Sequence, residues 1–130
     1  MTINSILPQI TGVIAIIFIL SSSFIVKKPG KNSWMIPGLL SVAFLVFSLI
    51  SVFAEGPFGF WTEHTRNLWG NQIWFDLLLG VSIGWYFILP RARKEKMNIF
   101  LWGIIVLSSG CIGFTAMVAR LLYLESGKEL

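Results

Sequence analysis

Four continuous apolar runs divide the chain, at roughly Ile6–Val26, Trp34–Phe53, Gln72–Leu89 and Ile99–Leu122. Each approaches the ~20 residues that an α-helix needs to cross the ~30 Å hydrocarbon layer of a bilayer. The runs are unbroken rather than alternating, which predicts helices and not barrel strands. The expected fold is therefore an all-α integral membrane protein, a single transmembrane domain over residues 1–130. Its four transmembrane helices form an up-down-up-down bundle, the arrangement that short connections favour.

The polar breaks between the runs set the expected orientation. Lys27, Lys28 and Lys31 fill the first break, and Arg91, Arg93, Lys94 and Lys96 fill the third, together seven of the ten basic residues. In a four-span arrangement both breaks lie on one side. The positive-inside rule puts that side in the cytoplasm, with the middle loop and both termini on the periplasmic or outer side. Trp34, Trp85 and Trp102 then mark the inner interface, and Trp61, Trp69, Trp74 and Tyr123 the outer one. No positive charge precedes the first run and no small-residue cleavage site precedes Lys27, so this run reads as a span and not a cleaved signal.

The middle loop, Ala54–Asn71, is the longest connection, and Gly56, Pro57 and Gly59 interrupt its backbone. Thr62 is a candidate cap for a short helix from Glu63 to Trp69. Trp61 and Trp69 would share one face with Leu68, and Glu63, His64, Arg66 and Asn67 contribute polar positions. Two readings stand side by side: an amphipathic segment on the outer membrane surface, or an irregular aromatic loop packed over the bundle.

Composition strengthens the membrane reading. Of 130 residues, 55% are hydrophobic and 12% charged, about half the charged fraction of a soluble domain, and mean hydropathy is +0.79. The net charge of +4 comes from two short turns and not from a basic face, which argues against nucleic acid as a partner. One cysteine, Cys111, excludes an internal disulfide, and one histidine, His64, excludes a bis-histidine haem within the chain. Glu63 and His64, with Glu55 and Asp76, are candidate metal ligands at the outer face. Glu63 and His64 are adjacent, so on a helix they diverge by ~100°; no metal and no cofactor are expected. Phosphate loops, nucleophile elbows and metalloprotease helices are absent.

Two charges lie inside apolar runs. Asp76 begins a spacing of four through Gly80 and Gly84, and the pair Gly80/Gly84 lets another helix approach closely. In the fourth run, Ser109, Gly113, Ala116 and Arg120 form a second small-residue stripe that ends in a charge. If both runs are spans, the stripes face each other and Asp76 pairs with Arg120 near the outer surface. That pair is expected to pin the hairpin structurally, with an ion or proton site at Asp76 as the alternative. Ser41, Ser48 and Ser51 in the second run, and Thr11, Ala15 and Ser22 in the first, read as packing positions.

The stretch NQIWFDLLLGVSIGWYFILPRARKEKMNIFLWGII, followed by FTAMVARLLYLE, resembles a family of small uncharacterised bacterial four-helix inner-membrane proteins. Asp76 opens one helix of that pattern, Arg91–Arg93 form the turn and Arg120 closes the next helix. The resemblance covers about the last 60 residues. It implies a bacterial inner membrane and brings no activity with it. The functional expectation is a non-catalytic accessory or structural subunit of a membrane complex, bound to the lipid bilayer and to itself or larger partners. The alternative is an oligomeric small transporter or channel that uses Asp76.

Overall fold

A computed structural model describes residues 3–25 and 29–128. Lys27, Lys28 and the end of the first run at Val26 lie outside the described residues. Six helices are present among those described: α1 (Ile3–Ile25), α2 (Met35–Glu55), α3 (Gly59–Thr65), α4 (Leu68–Lys94), α5 (Ile99–Ser109) and α6 (Cys111–Ser126). Three segments, Ile3–Phe24, Met35–Glu55 and Leu68–Lys94, are long and apolar enough to cross a membrane. The protein is thus all-helical, as expected.

The fourth apolar run departs from expectation. It breaks at Gly110 into α5 and α6. Gly110 has φ +61° and ψ −126°, a combination that side-chain-bearing residues essentially never adopt. The chain reverses there. The C-terminal end of α6 returns to the end of α4: Arg91 pairs with Glu125, and Lys128 pairs with Glu95. At ~1.5 Å per residue, α5 is about 16 Å long, roughly half a bilayer core. The run is therefore a helical hairpin and not a single crossing helix. Residues 126–128 lie beside the Arg91–Lys96 turn and not at the opposite end, where the sequence placed the C-terminus.

Local chemistry explains how the turns hold. Where α4 ends, Lys96 takes φ +54°. Its N–H bonds to Arg93 O, and the Met97 N–H bonds to Ala92 O, each at 3.0 Å. This is a Schellman closure with lysine in the position glycine usually fills. Its expected apolar contact is present, since Ala92 and Met97 are both buried in one cluster with Val106, Met117 and Leu121. Asn98 then caps α5 by accepting the Leu101 N–H at 3.1 Å. At the hairpin tip the Ser109 hydroxyl donates to Ile105 O at 2.6 Å and accepts the Gly113 N–H at 3.0 Å. A donor freed at the start of α6 is thereby satisfied away from water.

Helix α6 is the centre of the packing, touching α2, α4 and α5. It runs parallel to α4 and antiparallel to α2, as the pairs Gly84/Phe114, Arg91/Glu125, Gly38/Ala119 and Ser41/Ile112 require. Glycine is required at one of these approaches, Gly84. A Cβ on Gly84 would meet the Phe114 ring at 2.6 Å, and one on Gly38 would touch Ala119 at 3.7 Å. Ser41 is buried and donates to Ile112 O at 2.8 Å. In contrast, α1 makes no extensive contact with the other helices, and its side chains are almost all exposed. It begins at Ile3, three residues before the expected start, which carries Pro8 beyond the first turn.

The short helix in the middle loop exists, shifted toward the N-terminus. It spans Gly59–Thr65 and not Glu63–Trp69. Thr62 lies within it. The reason is Asn67, which adopts an extended conformation (φ −159°, ψ 178°) and accepts the Gly70 N–H at 2.8 Å, so it caps α4. Leu68 and Trp69 consequently belong to α4, which runs 27 residues, about 40 Å.

Candidate functional site

Asp76 and Arg120 are not brought together. Asp76 lies on the N-terminal half of α4, is exposed, and its Oδ2 accepts a hydrogen bond from Gln72 Nε2 at 2.7 Å. Arg120 lies near the opposite end, on the returning half of the hairpin, 5.7 Å from the centroid of the Tyr123 ring. Among the described residues the ion pairs are Glu63–Arg66, Arg91–Glu125 and Glu95–Lys128. The expected pair assumed that residues 99–122 cross the membrane once. The Gly110 reversal carries Arg120 back instead.

The pairs that do pin the hairpin are the last two. Arg91 grips Glu125 with two nitrogens, with Nε–Oε1 at 2.8 Å, a forked geometry that fixes orientation. Lys128 Nζ sits 2.8 Å from Glu95 Oε2, and the Glu95 side chain is only 5% exposed. A buried carboxylate without a partner is costly, so Lys128 ties the last turn of the chain to the end of α4. Tyr123, expected at the outer interface, instead packs edge-on against Trp34 at 5.5 Å, at the basic end.

The two small-residue stripes are only partly used. Gly84 receives the Phe114 ring, whereas a Cβ on Gly80 would meet nothing within 4 Å. On α6, Gly113 is buried and crowded by Ile105 and Ser109, and Ala116 is half-buried. Ser109 belongs to α5 and acts through its hydroxyl as described. The face of α4 bearing Asp76 and Gly80 is therefore uncovered by the described residues.

At the other end, α3 folds onto the start of α4. Gly70 is buried with its Cα against the carbonyls of Glu63 and His64, leaving no room for a side chain. Asn71 Nδ2 donates to His64 O at 2.8 Å, and His64 Nδ1 lies 3.3 Å from Gly70 O, a carbonyl that can only accept. The His64 ring sits 4.8 Å from Trp74, with Phe60 and Trp61 completing an aromatic cluster. Glu63 and Arg66 form an exposed pair at 3.3 Å, and Trp69 projects from α4, exposed. The segment is an aromatic cap locked to α4 by backbone contacts. Among the described residues no three His, Cys, Asp or Glu side chains gather as a metal site, and no buried side-chain polar atom lacks a hydrogen-bond partner. The sequence signal for the basic-end lock was present in Glu95, Glu125 and Lys128, but it becomes meaningful only once the chain reverses at Ser109–Gly110. Compared with known proteins, no family model, curated protein or solved structure matches the chain.

Proposed function

We propose that the protein is a non-catalytic subunit of a membrane complex and that the outer half of α4 is the surface through which it docks. The observation that carries this reading is Asp76. Along α4 it lies about 22 Å from Arg91, inside a hydrocarbon layer of ~30 Å that begins near that arginine. Among the described residues its hydrogen-bond donor is Gln72, and beside it Gly80 leaves the helix backbone open to close approach. An ionised carboxylate facing lipid costs up to about 3 kcal/mol. A partner helix carrying a cation or a donor removes that cost and fits the glycine face. The isolated α1 and the exposed outer half of α2 supply further apolar contact area of the same kind.

The resemblance of residues 71–125 supports a bacterial inner membrane. Charge bias supports a cytoplasmic position for the Arg91–Lys96 turn, and with it for the end of α6, while the start of α1 and the α3 cap face the periplasm. In this topology α1, α2 and α4 cross the membrane and α5–α6 enter and leave from the cytoplasmic side.

A second reading draws on the same carboxylate: an oligomeric small transporter or channel in which Asp76 is an ion or proton site. Native mass measured after gentle extraction separates the two. The subunit reading predicts a particle holding other chains, which the Asp76→Asn variant loses. A homo-oligomer alone would refute it, and ion flux in liposomes that depends on Asp76 would establish the transporter.

A further inference from the structure

We propose that the basic end of the bundle carries a binding groove for the headgroup of an anionic phospholipid. A groove of about 540 Å³ opens between the turn before α2 and the last turn of α6, and Lys31, Asn32, Trp34, Tyr123, Ser126 and Lys128 line it. Its charges do not cancel. Arg91 and Glu125 neutralise each other, as do Lys128 and Glu95. Lys31 in the groove and Arg120 beside its Tyr123 wall make no ion pair among the described residues.

Arg120 is the sharper clue. It lies six residues before the end of α6, about 9 Å deeper than Ser126 and on the apolar side of the Arg91–Glu125 pair. It is exposed there. A guanidinium at that depth extends toward phosphate oxygens to keep its charge solvated. The Tyr123 ring, 5.7 Å away, supports the guanidinium, and Trp34 packs edge-on against that ring. The aromatic pair thus holds the planar donor fork at the level of a phosphodiester. Lys31 lines the groove itself, and Arg120 borders it through the Tyr123 ring. Two uncompensated cations beside interfacial aromatic rings complement one phosphodiester with an anionic headgroup, and basic pockets between helices at this face recognise such lipids.

The test is lipid binding by the full chain in detergent, followed by native mass spectrometry. Phosphatidylglycerol is titrated against phosphatidylcholine of the same acyl composition. Phosphatidylglycerol is expected to bind about twenty-five-fold tighter or more. Removing each cation weakens that preference about fivefold, so Lys31→Gln with Arg120→Gln lowers it roughly twenty-five-fold and leaves phosphatidylcholine binding unchanged. Arg120→Lys retains most of the preference. Arg93→Gln with Lys94→Gln removes equal charge outside the groove and leaves the preference intact. Circular dichroism establishes equal helicity in all variants. The proposal is overturned if wild-type protein binds the two lipids equally, or if the groove and turn variants lose the same affinity. Displacement of phosphatidylglycerol by millimolar inorganic phosphate would also overturn it, because the site would then be one for free phosphate.

Discussion

Gly110→Ala tests the reversal at its most constrained point. At φ +61° and ψ −126° the backbone lies outside even the left-handed helical well, and a Cβ there costs about 1–3 kcal/mol. The straight alternative gains at the same time. Alanine in a continuous helix from Ile99 to Ser126 is worth about 1 kcal/mol more than glycine, and that helix would be about 42 Å long. The substitution therefore shifts the balance between hairpin and straight helix by about 2–4 kcal/mol. The hairpin retains Arg91–Glu125, Lys128–Glu95, the Ser41–Ile112 bond and the packing of Met117 and Leu121, both fully buried. These together exceed the shift, so Gly110→Ala is expected to keep the fold with lowered stability. Reversible unfolding in mixed detergent micelles, followed by tryptophan fluorescence and circular dichroism, measures the loss. Stability within 0.5 kcal/mol of wild type, or above it, would refute the assignment of Gly110 as an obligatory turn residue.

Other perturbations read separate parts of the structure. Lys96→Gly removes a side chain from φ +54° and is expected to stabilise the protein by about 1 kcal/mol, measured in the same unfolding assay. Gly70→Ala forces a methyl group against the Glu63 backbone carbonyl. It should detach α3 at a cost of about 2 kcal/mol or more and reduce the near-ultraviolet circular dichroism of the Phe60–Trp61–Trp74 cluster. A double-mutant cycle on Arg91→Gln and Glu125→Gln should give a coupling of about 1 kcal/mol for this half-exposed pair, reduced by added salt.

Helices α1, α2 and α4 were legible because their information is local. Continuous apolar length, with lysine, proline and glycine at the breaks, needs no knowledge of neighbours. The short helix of the middle loop was legible in kind, but its register was not, because Asn67 caps α4 and draws Leu68 and Trp69 into it. The fourth run was misread for a physical reason. Its average hydropathy is that of a span, and the one residue that prevents spanning, Gly110, adds little polarity. The dipeptide Ser109–Gly110 is a turn signal of the ordinary kind, and within a membrane it demands hydroxyls to satisfy the freed backbone, which Ser109 supplies. Everything assigned through a continuous fourth helix shifted with it: the Asp76–Arg120 pair, the facing of Gly80, and the interface on which Tyr123 lies. Gly84 meets Phe114, Ser41 bonds Ile112 O, and Gly113 packs against Ile105 and Ser109 of α5 in place of the α4 stripe.

Sidedness of the C-terminus tests the hairpin most directly. In a Cys111→Ser background, single cysteines at Phe58, Lys94 and Lys128 are labelled in intact membrane vesicles with a thiol reagent that cannot cross the bilayer. The account predicts that positions 94 and 128 react from the same side and position 58 from the other. Labelling of position 128 together with position 58 would contradict it, since residues 99–126 would then cross the membrane as one helix.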